Sequence, residues 1–214
     1  MSSNIFYGTY TKFACETKQQ SSLLLSADCM IGDICSIEFV VENGTTIAWI
    51  VNKYGARLVS IDEKTCRRLQ EYQVRGFSIK ALYAFLAFND NIKNKPYWGE
   101  FAIVAYSNNY TSEFEQFIDG ISKLLAKGIR PNLDFNPSTI EKIISSKGLW
   151  QPTNKLANLK LDKGVAIVKS KRSNLDNIIE QGRSGNIGCW IVSAFIFAVI
   201  ALLIFLALST LFNG

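Results

Sequence analysis

Five cysteines, Cys15, Cys29, Cys35, Cys66 and Cys189, are the residues of this 214-residue chain best suited to nucleophilic, redox or metal chemistry. Each of those uses needs a companion. The chain contains no histidine, so the usual general base for a Ser or Cys nucleophile is missing. No Cys-x-x-Cys pair occurs, and Cys29 and Cys35 stand six positions apart in CMIGDIC, so no metal site is expected. An odd count and wide spacing point to reduced thiols, with the first four buried as small hydrophobes. Cys189 differs. It sits beside Trp190 at the edge of an apolar run and is the candidate for S-acylation.

The remaining chemistry-bearing groups are dispersed. Asp28, Asp33, Glu38, Glu42, Asp62 and Glu63 fall mainly at turn-like positions and form no recognisable pair of catalytic carboxylates. Lys64, Arg67 and Arg68 could grip a phosphate, but a solvated helix face is the plainer reading. The glycines of GRSGNIG are spaced three apart, yet they precede a greasy helix rather than follow a strand, so they read as a hinge. No phosphate loop or Gly-x-Ser-x-Gly elbow is present. No cofactor is expected, and catalysis is the less favoured reading.

The strongest pattern is the run Trp190 to Phe212, which has no charged residue and only Ser193, Ser209 and Thr210 as polar interruptions. As a helix it would be about 35 Å long, enough for a hydrocarbon core of roughly 30 Å. One transmembrane helix is therefore expected over 187–212. Ser193, Ala194, Ala198 and Ala201 form a small-residue strip on it suited to helix–helix contact. The N-terminus lacks a basic region followed by an apolar run, so no signal peptide is expected. The layout is that of a tail-anchored protein.

Charge sets the expected orientation. Residues 155–183 hold seven cations against three acids, an excess of four in a chain whose net charge is +5. Basic flanks stay on the cytoplasmic side, which places the N-terminus there and the C-terminus outside or in a lumen. Lys169, Lys171, Arg172 and Arg183 are the expected contacts to anionic lipid headgroups. The excess lies beside the membrane run rather than across a folded face, so nucleic acid is not an expected partner. The sequons at Asn43 and Asn109 would stay unused in that orientation.

The elements that must position these residues divide the chain into a domain at 1–150, a basic juxtamembrane linker at 151–186 and the span. In the domain, NIFYGTYTKFACE and SSLLLSADC read as strands around a polar turn. CSIEFVVENGTTIAWIV reads as a hairpin, with Asn43-Gly44 supplying two positive-φ positions. RLVSID is a short strand. Asp62 caps a helix whose Cys66, Leu69 and Tyr72 share one face, and Gly76 ends it. SIKALYAFLAF, residues 78–88, is apolar all round and reads as a buried helix. EFAIVAYS is an interior strand. SEFEQFIDGISKLLAKG is an amphipathic helix, with Ser112 and Glu115 read as a capping box. A further helix starts at Asn136-Pro137 and stops at Gly148. GVAIVK reads as an edge strand. In SNLDNIIEQG, Leu175, Ile178 and Ile179 share one side and are placed along the membrane. The expected fold class is α+β: an antiparallel sheet of five or six strands with helices on one face.

A globular front, a linker and a greasy anchor are similar in layout to vesicle-fusion proteins with longin-type heads. The similarity is one of architecture only. Pro131, Pro137, Gly148 and Pro152 interrupt the region where a fusion motif would run as unbroken heptads. The expected function is a binding or scaffold module confined to the membrane surface with a protein partner there. A membrane-tethered enzyme with a carboxylate or cysteine site, and a single-helix subunit of a larger complex, are the alternatives.

Overall fold

Asn43 and Gly44 adopt φ values of 50° and 77°, the two positive-φ positions that a tight hairpin requires. They join β2 (Ile34–Glu42) to β3 (Thr45–Val51) in antiparallel register. The structure, a computed structural model, describes residues 5–93, 96–156, 161–183 and 200. Around the hairpin stand β1 (Phe6–Ala14), β4 (Arg57–Ser60), β5 (Phe77–Asn89), β6 (Tyr97–Ser107) and β7 (Val165–Lys169). The sheet runs β1-β6-β5-β2-β3-β4, every pair antiparallel, and β7 also pairs with β5. The helices are α1 (Lys18–Leu25), α2 (Glu63–Val74), α3 (Thr111–Ala126), α4 (Pro137–Ser145) and α5 (Asn174–Arg183). The domain is α+β.

The stretch 78–88, expected as a buried helix, is the centre of β5. It pairs along its length with β6. Its other edge is shared by β2, at Ile34↔Leu82 and Cys35↔Ala81, and by β7, from Leu86 to Asn89. Ala81 to Ala87 are all buried. A strand covered on both faces shows no alternation, so its apolar run is indistinguishable from that of a core helix.

That double cover also corrects the one-face expectation for the helices. Phe6 and Tyr7 are neighbours on β1 and so point to opposite sides of the sheet. Phe6 stacks on Phe114 of α3 with centroids 5.3 Å apart, while Tyr7 stacks on Tyr72 of α2 at 5.0 Å. Thus α2 and α3 pack on opposite faces. A register shift between Tyr83 and Phe85 puts Phe85 on the α3 side, whereas Tyr83 stacks on Phe101 and donates its hydroxyl to the Leu24 carbonyl at the end of α1.

The segment SSLLLSADC is not a strand. Thr17 accepts from the backbone N–H of Gln20, and the Gln20 side chain accepts from the backbone N–H of Thr17. This reciprocal cap starts α1 in the place read as a turn. The capping box expected at Ser112 and Glu115 does not form. A 3-10 turn at Asn108–Tyr110 leads into α3, whose cap position falls at Tyr110, two residues before Ser112, and no side chain caps the helix. Its apolar stripe is buried as expected at Phe114, Phe117, Ile118, Ile121 and Leu125. Asp62 and Asn136 cap α2 and α4 as expected, accepting from Thr65 and Thr139.

The compact unit runs through Arg172. Residues past 150 join it by backbone pairing: Asn132 N–H donates to Asn154, Leu156 N–H to Arg130, and β7 adds to the sheet. A second unit starts at Ser173 and includes α5, begun by reciprocal hydrogen bonds between Ser173 and Asp176.

Gly148 follows α4 with φ 80°, and a Cβ there would meet the Glu113 carbonyl and lie 2.9 Å from the Phe117 nitrogen. Gly44 has a similar φ but open space around it. Gly44→Ala should therefore cost about 1–2 kcal/mol from backbone strain alone. Gly148→Ala should cost about 2–4 kcal/mol, because overpacking adds to the strain. Urea midpoints at unchanged slope test the difference, and equal shifts would contradict this packing.

Candidate functional site

Of the four cations expected at lipid headgroups, two are engaged within the domain. Lys169 at the end of β7 donates from Nζ to the carbonyls of Leu24, Ser26 and Cys29 at 3.3, 2.9 and 2.6 Å. Arg172 donates from Nε to the Ile31 carbonyl and from a terminal nitrogen to Asp33 Oδ1, each at 2.8 Å. The other Asp33 oxygen accepts from Met30 N–H. The two side chains thus clasp the loop between α1 and β2. Lys171 is exposed. The Arg183 side chain lies outside the described residues, as do Cys189, Ser193, Ala194, Ala198 and Ala201.

Cys15, Cys29, Cys35 and Cys66 are free and buried. Burial pushes the Cys15 thiol up to about 11. A hydrogen bond with Cys35, reinforced by burial, raises Cys29, and burial raises Cys66. A thiolate, the form that attacks, is disfavoured at all three at neutral pH. The acids have structural partners. Glu38 pairs with Arg57, Asp33 with Arg172 and Glu100 with Arg130. Burial works against ionising Asp62, but hydrogen bonds from Thr65 and Thr11 outweigh it and hold that carboxyl below its usual value. On α2, Arg67 pairs with Glu63 and Arg68 lies over the Tyr7 ring at 5.5 Å, a mixed-charge helix face rather than the alternative phosphate grip. Among the described residues no group of His, Cys, Asp or Glu is placed to hold a metal ion.

A cleft of about 160 Å³ opens between the α3–α4 connection and residues 150–154. Its apolar wall is Phe135 and Trp150, whose rings meet edge to face at 5.9 Å and both pack on Phe117 of α3. Its polar wall is Asn132, Asp134, Asn136, Thr139, Thr153 and Asn154. Asn132 and Asn136 each use the side-chain carbonyl locally, accepting from the backbone N–H of Asp134 and Thr139. Their amide nitrogens are the ends suited to a ligand. Ring faces beside carboxamides suit recognition of a group that is part apolar and part hydrogen-bonding. The volume lies below the roughly 300 Å³ at which small-molecule pockets begin and suits one side chain of a partner.

The cleft is held from below by a buried ion pair. The Arg130 guanidinium meets Glu100 of β6, with side-chain exposures of only 16% and 6%. It also lies over the rings of Tyr10 and Phe85 at 5.0 and 5.3 Å. Tyr10 donates its hydroxyl to the Pro131 carbonyl at 2.9 Å, and burial pushes that phenol above its ordinary value. Residues 130–132, where the cleft begins, are therefore fixed from three sides. Neither residue of the pair stood out in the sequence. Glu100 as the one acid in a long apolar strand was the available signal.

No protein-family model matches this chain, and no curated protein is significantly similar to it.

Arg130→Met should destabilise the domain by about 3–5 kcal/mol, since it strands the Glu100 charge. Adding Glu100→Gln should recover much of that loss, and a double variant no more stable than the single one would contradict the pairing. The thiols give a second test. In a Cys189→Ser chain at about pH 8, a thiol reagent should find none of Cys15, Cys29, Cys35 and Cys66 until denaturant is added. Because Cys15 is raised from 9.0 to about 11, the unfolded chain releases that proton first. Its contribution to stability is present below pH 9 and declines as pH rises toward 11.

Proposed function

We propose that this protein is a single-pass membrane protein, anchored by residues 187–212, whose α+β domain is a binding module at the cytoplasmic surface. The observation that carries the reading is the uncharged run Trp190 to Phe212 in the sequence. Its many Ile, Leu, Val and Phe residues favour insertion by several kcal/mol at about −0.3 to −0.6 each. Among the described residues no helix is long and apolar enough to cross a membrane, and that run lies outside them except at Ile200. The basic excess on the N-terminal side of the run supports the cytoplasmic orientation.

Lys171 and Arg183 are the cations best placed in the sequence for anionic headgroups, because Lys169 and Arg172 already hold the α1–β2 loop. The cleft supports the binding role. Phe135 and Trp150 would contact the apolar part of a partner's side chain, and Asn132 and Asn136 its polar end. Anchoring confines the domain to two dimensions, which raises its effective concentration for partners at the same surface.

Full-length protein expressed in cells should resist extraction by alkaline carbonate. Leu203→Arg with Ile204→Arg should release it, at a cost of about 2.5–3.5 kcal/mol per charge near the helix centre. A photoreactive residue at position 150 should crosslink to a defined partner in membranes. Soluble full-length protein would overturn the anchoring, and a domain cut by protease added outside intact cells would overturn the cytoplasmic orientation. A chain that gives no adduct would overturn the binding role.

A further inference from the structure

We propose that α5 lies in the plane of the lipid surface with Leu175, Ile178 and Ile179 turned into the acyl boundary, an inference that rests on the anchor reading above. Three observations meet here. First, α5 begins where the domain's hold ends. Arg172 is fixed by Ile31, Asp33 and the Ala126 carbonyl, and the next residue, Ser173, caps a new helix with Asp176 in a separate compact unit. Second, that helix is amphipathic and two of its three apolar residues are open. Leu175 and Ile178 are 65% and 64% exposed, one turn apart, with the half-buried Ile179 beside them. At 100° per residue, Asp176, Asn177 and Glu180 fall on the opposite side.

Third, chain length names the occupant. Only residues 184–189 separate α5 from the run that begins at Trp190. Seven peptide steps reach about 25 Å at most. If Trp190 enters the bilayer, the end of α5 stays within that distance of the hydrocarbon boundary. The headgroup layer on each side is itself about 5–8 Å deep. An exposed Leu–Ile face tethered so close has lipid as its nearest apolar neighbour. The polar side carries Asp176 and Glu180, so attachment is through apolar contact and needs no anionic lipid.

The test uses the full chain in nanodiscs of zwitterionic phosphatidylcholine. In a Cys189→Ser background, the variants Ile178→Cys, Asn177→Cys and Ile200→Cys each carry an environment-sensitive fluorophore. The label at 178 should be quenched severalfold more by a lipid-borne quencher than the label at 177, which aqueous iodide should reach. The label at 200 should answer only to lipid. If 200 is lipid-quenched while 178 is as open to iodide as 177, the anchor stands and α5 does not dock. If 178 is shielded from both quenchers, protein rather than lipid covers the helix and the proposal is overturned. If 178 and 200 are both open to iodide, the anchor reading itself fails. A label at 178 that enters lipid only when phosphatidylserine is added would overturn the apolar basis of docking.

Discussion

The domain is organised by the need to cover both faces of β5. Ala81 to Ala87 cannot meet water on either side, so the chain must supply apolar cover twice. It does so with α3 on one face and α2 on the other, and the two aromatic stacks that begin at Phe6 and Tyr7 fasten those layers. The edges of β5 need cover as well. One is taken by β6 along its length; the other is divided between the start of β2 and the late strand β7. Recruiting β7 draws residues far along the chain back to the middle of the sheet.

This return has an energetic partner in Lys169 and Arg172. The loop from Ser26 to Asp33 presents several backbone carbonyls away from any ladder. Buried carbonyls need donors, and a lysine ammonium supplies three from a single point. Charge-assisted bonds of this kind are worth about 1.5–3 kcal/mol each. The same cations would otherwise add to the basic belt beside the apolar run. Charge committed to carbonyls inside the domain in this way is withheld from any anionic surface outside it.

The cleft follows a similar division of labour. Phe135 and Trp150 are shared between the core and the opening, and the wall they form is backed by Phe117. Beneath it, the Arg130–Glu100 pair costs desolvation and gives little net stability of its own, but it fixes the path of residues 130–132. Walls packed in this way would lower the entropy lost on binding under the role proposed for the cleft.

The amino-acid order alone determined the features that depend on near neighbours. The Asn43-Gly44 hairpin, the caps at Asp62 and Asn136, the stripe of α3 and the edge strand at 165–169 are all read within a few residues, because turn dihedrals, capping bonds and helical periodicity are local. The uncharged run at 190–212 belongs to the same class, since hydropathy sums along the chain. Tertiary structure decided the rest. Whether 78–88 coils or extends depends on what lies on either side of it, which no window of its own residues contains. The cap at Thr17 and Gln20 is a local signal too, but the Leu-rich stretch that follows it reads equally as a strand. The side-chain partners of Lys169 and Arg172 sit 139 or more positions away and that of Glu100 sits 30 away, so their burial and pairing exist only once the sheet has brought those segments together.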